Sequence, residues 1–277
     1  MNSLRLHDKV ALITGAARGI GRACAVRYAA EGADLILLDI ARDVDDVPYP
    51  LGSRRQLAQT ADRCRDRGAA ALAVPADLRD AASLAKAVAA GLDRFGRIDI
   101  LVNNAGIAAP SGRPAHEITE HEWAVMLDVD LTGALRMIRE VVPAMLERRS
   151  GSIINIASTA GLVGYRHFAA YVTAKHGLIG LTKATALDYA PMSVRVNALC
   201  PGSVRDDPTL DGRMLAEIAR SLDTDVADHE ATFVQAQPMN RLIEAEDVAG
   251  AAVWLGADDS AQVTGSVVTV DGGFTAR

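Results

Sequence analysis
Short apolar runs recur along this chain and alternate with longer stretches whose apolar positions return every three or four residues. Lys9-Val-Ala-Leu-Ile-Thr14 is the first such run and Asp34-Leu-Ile-Leu-Leu-Asp39 the second; residues 70–75, 98–103, 152–157, 194–199 and 266–270 continue the series. Runs this short and this continuously apolar are expected of strands buried on both faces of a parallel sheet. Helical periodicity predicts helices over 19–31 with Gly32 at the C-cap, 54–67, 80–95 starting at Asp80, 119–147, 170–190 and 245–255. Thr119-Glu-His-Glu122 reads as a capping box that opens the longest of these. Strands and helices alternating from end to end predict a single α/β domain, its parallel sheet covered on both faces. The chain shows no internal repeat and no low-complexity segment.

Two stretches break the rhythm. Residues 42–54 are longer than the tight connection a βα unit needs, and read either as a solvated surface loop or as a cover over one end of a bound ligand. Residues 206–237 carry one helical pattern around Leu210, Met214, Leu215 and Ile218, then a polar, acidic stretch. They read as a substrate lid or as a peripheral subdomain that serves oligomer contacts.

Composition narrows the function. A net charge of −6 over 277 residues disfavours a nucleic-acid partner, which calls for a basic stripe. No apolar run reaches the roughly twenty residues a bilayer requires, and the short polar start is unlike a signal peptide, so a cytoplasmic protein is expected. Cys24, Cys64 and Cys200 lack metal-ligand spacing and read as thiols in a reducing compartment; the six histidines are unpaired too, and no metal site is expected.

The chemistry concentrates at two places. After the first strand comes Gly15-Ala-Ala-Arg-Gly19-Ile-Gly21 and then a helix, an arrangement that lets backbone N–H groups approach a pyrophosphate. Asp39 ends the second strand about twenty residues on, where a carboxylate grips ribose hydroxyls and repels a 2′-phosphate, favouring NAD over NADP. Arg18 and Arg42 stand nearby as possible phosphate partners. Farther along, Tyr171 and Lys175 share a helix face one turn apart, with Ser158 at the end of the preceding strand. A lysine ammonium pulls a phenol pKa down toward the working range, so Ser, Tyr and Lys together can polarise a carbonyl and move one proton.

Taken together, Thr14-Gly-Ala-Ala-Arg-Gly-Ile-Gly21, Asp77 in Pro-Ala-Asp-Leu, Asn103-Asn-Ala-Gly106, Ser158, Tyr171-Val-Thr-Ala-Lys175, Pro201-Gly202 and Val263-Thr-Gly-Ser-Val-Val-Thr-Val-Asp-Gly-Gly273 resemble the short-chain dehydrogenase/reductase family over nearly the whole chain. The resemblance implies a single doubly wound Rossmann-type domain with a seven-stranded parallel sheet, assembled as a homotetramer. It implies NAD contacts at Gly15, Arg18, Gly19, Ile20, Gly21, Asp39, Asp77, Leu78, Asn104, Ala105, Gly106, Tyr171, Lys175, Pro201, Gly202 and Val204, with Asn104 equally open to a structural role. Ser158, Tyr171 and Lys175 are the implied catalytic residues. Asp130 joins them as a departure, because the family has Asn there, credited with holding a water that relays protons to the lysine. An anion at Asp130 opposes the field of Lys175, and an alkaline pH optimum for alcohol oxidation follows. Asp206 departs as well, from a Thr that touches the nicotinamide carboxamide. Within the family, Val47-Pro-Tyr-Pro-Leu51 resembles an insertion of the actinobacterial subgroup coupled to mycofactocin, in which NAD does not exchange freely.

The expected reaction is hydride transfer between NAD and a secondary alcohol or its ketone. Leu210, Met214, Leu215, Ile218 and Phe233 of the lid, with Leu162, Val163 and Phe168 of the facing wall, favour an apolar, alicyclic alcohol such as a terpenoid or steroid-like one over a sugar. Tyr165 and His167 in that wall read either as substrate contacts or as packing. Two other readings stand: a 3-oxoacyl thioester reductase, against which Asp39 argues, and a non-catalytic NAD-binding regulatory protein.

Overall fold
The structure, a computed structural model, describes residues 4–207, 214–224 and 229–276. Seven strands, β1 (Val10–Thr14), β2 (Asp34–Asp39), β3 (Ala71–Pro75), β4 (Ile100–Asn103), β5 (Gly151–Ile156), β6 (Val194–Pro201) and β7 (Val267–Val270), form one sheet in the order β3-β2-β1-β4-β5-β6-β7. Every pairing is parallel. The helices are α1 (Gly19–Ala30), α2 (Arg54–Arg65), α3 (Ala81–Phe95), α4 (Glu120–Leu127), α5 (Gly133–Glu147), α6 (Ala169–Tyr189), α7 (Met214–Ser221), α8 (His229–Ala236) and α9 (Ala245–Gly256).

The continuous apolar runs are explained by the two layers they serve. Ala11 and Ile13 of β1, with Leu35 and Leu37 of β2, face a core shared with α1, α2 and α9. Val10 and Leu12, with Ile36 and Leu38, face the opposite core, shared with α3 and α5. Successive side chains of a strand point to opposite faces, so a strand covered on both sides tolerates no polar alternation.

The chain runs outward from β1 to β3, then returns to lay β4 on the other side of β1. That reversal opens a crevice at the carboxyl ends of β1 and β4, where ligands sit in open α/β sheets. The two strands are tied at both ends. At the amino end, Asp99 accepts hydrogen bonds from Val10 N (2.9 Å) and from the guanidinium groups of Arg97 and Arg148. At the carboxyl end, Thr14 Oγ1 accepts from Asn104 N (3.0 Å) and Ala105 N (3.1 Å).

The helix expected over 119–147 is three elements. Its capping box forms between Thr119 and Glu122, but α4 ends at Leu127 and Asp128–Thr132 is a π turn before α5 begins. A π turn inserts one residue into the helical ladder and is often found at functional sites. Here it turns Asp130 inward, leaving that residue 2% exposed. The segment 206–237 contributes α7 and α8, while Leu210 lies outside the described residues. Cys24, Cys64 and Cys200 are buried free thiols, and among the described residues no helix is long and apolar enough to cross a membrane.

Asp99 is 4% exposed. Burial alone would raise its carboxyl pKa, but the bonds from Arg97, Arg148 and Val10 N outweigh it and hold the group below the usual carboxylate range. A carboxyl depressed in the folded state contributes stability above its unfolded pKa of about 4, and that contribution is lost as pH falls through the folded value. Asp99→Asn is therefore expected to cost about 2–3 kcal/mol at pH 7. In urea unfolding, the gap from the parent protein should narrow below about pH 4; a gap independent of pH would refute the assignment.

Candidate functional site
The crevice above β1 and β4 encloses a volume of about 320 Å³. Its floor is the glycine-rich turn between β1 and α1. Gly15 (φ +66°) and Gly19 (φ +53°) occupy left-handed backbone conformations, and a Cβ on Gly15 would stand 2.8 Å from the Ala105 backbone. Gly19 lines the crevice, with nothing within 4 Å of where its Cβ would lie, so the start of α1 faces open space. Gly21 is buried within α1. A Cβ there would come 2.0 Å from the Gly15 carbonyl oxygen, so this glycine is required for packing α1 against its own turn. Asn104 lines the crevice and is also a strut, its Nδ2 donating to the carbonyls of Thr14 (2.9 Å) and Gly15 (3.2 Å).

Asp39 closes β2 beside the turn, its carboxylate accepting from Ala17 N and Ala41 N, each at 3.0 Å. Burial raises its pKa above the ordinary value, and those two backbone bonds oppose the rise. The segment 42–54 returns directly over it: a Cβ on Gly52 would lie 2.5 Å from Asp39 Oδ1, so only glycine fits there. Val44, Val47 and Tyr49 of this segment are buried, which corrects the reading of it as a solvated loop. Arg42 reaches Asp77 at 3.0 Å and His121 meets Asp46 at 2.6 Å, pinning the segment on both sides. Val44, Val47, Leu51 and Gly52 line the crevice. The sequence left the segment open as a cover over a ligand, but it carries no periodic pattern that singles out these four side chains. Asp77 and Leu78 line the same end, with the Asp77 carboxylate held by Arg79 and Arg42.

At the other end, Ser158, Tyr171, Lys175 and Asp130 all line the crevice. Ser158 stands just beyond β5 and caps a short turn, its Oγ accepting from Ala160 N. Tyr171 and Lys175 stand on one face of α6, with Lys175 Nζ 5.5 Å from the phenol ring centroid. The π turn delivers Asp130 from beneath: its Oδ2 lies 3.1 Å from Lys175 Nζ, and its Oδ1 accepts from Ile107 N at 2.8 Å. Gly106 fits over the pair without a side chain, since a Cβ there would stand 3.0 Å from Asp130 Oδ2.

Electrostatically the group differs from the expectation in one respect. Burial pushes the Tyr171 phenol up from its ordinary value; Lys175 and a hydrogen bond with Ser158 pull it down, while Asp130 and Cys200 push it up again. The net direction is upward, because desolvation outweighs a lysine field that Asp130 partly cancels. For Lys175 itself, burial disfavours the ammonium but Asp130 more than compensates, so the lysine stays charged.

Pro201, Gly202, Val204, Ala105, Gly106, Ile20 and Arg18 line the crevice between these two ends. Asp206 lines the crevice and accepts from Leu215 N (3.0 Å) and Ala216 N (2.9 Å) at the start of α7. Its side chain caps α7. Met214, Leu215, Ile218 and Phe233 form one apolar wall, and Tyr165 and Phe168 the other; Leu162, Val163 and His167 are not among the lining residues. Tyr165 OH is 2.8 Å from Thr159 Oγ1, and its ring stacks on Phe274 at 6.0 Å.

Comparison with known proteins agrees with this geometry. Residues 15–275 match a family profile described as enoyl-(acyl carrier protein) reductase. The chain is 39% identical over 278 residues to (−)-trans-carveol dehydrogenase of Rhodococcus erythropolis, covering 99% of each. It is 36% identical over 269 residues to cis-4-hydroxycyclohexanecarboxylate dehydrogenase of Sinomonas cyclohexanicum, covering 97% of each. Its fold superposes on the crystal structure of carveol dehydrogenase from Mycobacterium avium in complex with NAD, with a TM-score of 0.91, 35% identity and 99% of each chain covered. With a profile match spanning nearly its full length and relatives aligned end to end, the chain belongs to the short-chain dehydrogenase/reductase family of oxidoreductases.

Proposed function
We propose that this chain is an NAD-dependent dehydrogenase that interconverts an apolar, alicyclic secondary alcohol and its ketone. The observation that carries the reading is the placement of Ser158, Tyr171 and the charged Lys175 at one end of a crevice whose other end is Asp39 beneath Gly52. The residues fit a dinucleotide. The open backbone at Gly19 suits a pyrophosphate at the start of α1. The buried Asp39 carboxylate suits a ribose diol, and with Gly52 packed on it an added 2′-phosphate would meet both charge and atoms.

When bound, NAD supplies the hydride acceptor and donor. The chain supplies position, field and proton transfer. Ser158 Oγ holds the substrate oxygen, and Tyr171 takes the alcohol proton during oxidation or returns it during reduction. Lys175, kept charged by Asp130, favours the phenolate. The crevice walls formed by Met214, Leu215, Ile218 and Phe233 and by Phe168, which packs on Tyr171, are apolar, which favours a hydrocarbon ring over a polyol. Relatives named for carveol and for a hydroxycyclohexanecarboxylate support a cyclic alcohol.

Segment 42–54 serves as a cofactor clamp. Its buried Val44, Val47 and Tyr49 and its pins to Asp77 and His121 make release of a dinucleotide depend on unpacking a small core. Native mass spectrometry of the purified protein, before any cofactor is added, is expected to show close to one NAD or NADH per chain surviving dialysis. An empty protein that binds NAD reversibly would make the segment a wall and not a clamp.

Tyr171→Phe should reduce oxidation of alicyclic alcohols by at least 10²-fold, the range of general acid–base contributions, with NAD still bound; retained turnover would remove Tyr171 from the reaction. Asp130→Asn removes the anion that disfavours the phenolate; the Tyr171 phenolate itself then becomes the counter-charge that holds Lys175 as an ammonium, and the Tyr171 pKa falls. The rising limb of kcat for oxidation should therefore move to lower pH, and an unchanged profile would show that Asp130 does not act on the phenol.

A further inference from the structure
Tyr49 is buried to 6% exposure, although it belongs to the segment at the adenosine end of the crevice. It belongs to a buried cluster with Ile107, Ala109, Val125, Met126, Ala170 and Ala174, against which Tyr171 packs. Its hydroxyl accepts from Ala108 N at 3.0 Å. The preceding amide, Ile107 N, donates to Asp130 Oδ1 at 2.8 Å, and Asp130 Oδ2 stands 3.1 Å from Lys175 Nζ. The two amides are separated only by the φ and ψ of Ile107, since each peptide unit is rigid. Holding one therefore restricts the other.

We propose that Tyr49 is a positioning residue for the catalytic pair: its hydroxyl fixes the 107–108 backbone so that the Ile107 amide stays on Asp130, and it thereby sets the charge that Asp130 presents to Lys175 and Tyr171. The proposal rests on the reading of Ser158, Tyr171 and Lys175 given above. It makes segment 42–54 more than a clamp, because one of its side chains reaches the proton-transfer end through three hydrogen-bonded or ion-paired contacts in series.

The groups that face the phenol come from every side. Lys175 shares α6 with it, Asp130 approaches from the π turn, Ser158 and Cys200 stand beyond β5 and in β6, and Tyr49 and Tyr165 flank it from the two loops. Of these, Asp130 is the anion, and the Ile107 amide partly neutralises it. When that amide is free to leave, the bare carboxylate acts more strongly on Tyr171 and the phenolate becomes harder to form.

The test is Tyr49→Phe, which keeps the ring and removes the hydroxyl, in protein saturated with NAD. Residue-resolved amide exchange should quicken at both Ala108, which loses its acceptor, and Ile107, whose acceptor is untouched. The rising limb of kcat for alcohol oxidation should move up by about half a pH unit, about threefold in rate at fixed pH on the limb. In an Asp130→Asn background the same substitution should leave the limb where it is. Quickening confined to Ala108 would reduce Tyr49 to a local anchor and overturn the proposal, as would an equal pH shift in both backgrounds. Amide exchange does not depend on turnover. A protein that oxidises no alcohol would therefore sink the Ser158, Tyr171 and Lys175 reading, while the Ile107 amide would still decide this one.

Discussion

The adjacency of β1 and β4 is the constraint on which the rest of this molecule depends. Reversal of strand order at β1 creates a crevice only if the two strands stay in register, and polar groups at both ends enforce that register. Asp99 joins them at the amino end through the Val10 amide. At the carboxyl end Thr14 Oγ1 receives two amides of the β4 turn, and Asn104 returns its own amide group to the Thr14 and Gly15 carbonyls. Buried polar groups must be paired, and here the pairing also aligns the glycine-rich turn with the floor beneath the reacting groups. Asn104 is therefore at once a strut of the sheet and a wall of the site.

A second dependence runs through charge. Lys175 is buried, and an isolated ammonium at that depth would lose its proton readily. Asp130 prevents this, at the cost of opposing the field that the lysine exerts on Tyr171. The pair therefore trades a secure positive charge for a phenol that ionises later. The Ile107 amide moderates that trade by neutralising part of the carboxylate. The geometry that makes this possible is the π turn over Asp128–Thr132, since an uninterrupted helix would rotate Asp130 relative to α6.

The two irregular stretches of the chain follow different physical rules. Segment 42–54 has no regular structure before α2, yet buries Val44, Val47 and Tyr49 in a small core shared with α4 and α6, and closes on Asp39 through Gly52. The other stretch is helical where described and held by a cap: Asp206 satisfies two free amides at the start of α7. An apolar wall of the crevice thus comes from a helix whose start is fixed by a carboxylate.

Much of this architecture was readable from pattern alone. Apolar runs identified all seven strands to within two residues at either end; the five inner strands are buried, which favours such a composition, while the edge strands β3 and β7 are only half-buried. Capping signals at Asp80 and Thr119 located helix starts, since side-chain capping is a local interaction between residues two or three apart. Ser158, Tyr171, Lys175 and Asp39 could be named because their spacing from strand ends and along one helix already implies a shared location. What tertiary structure alone decided involves contacts between residues distant in sequence. Whether segment 42–54 lies in solvent or in a core depends on Ile107 and Val125, more than fifty residues away. That Gly21 must lack a side chain because the Gly15 carbonyl occupies the space beside it shows only in the folded turn. The break at Asp128 carries no local signal, and the bond from Tyr49 to Ala108 joins two loops that no periodicity connects. Local propensity and periodicity specify elements; which buried polar groups must meet is set only when the layers close.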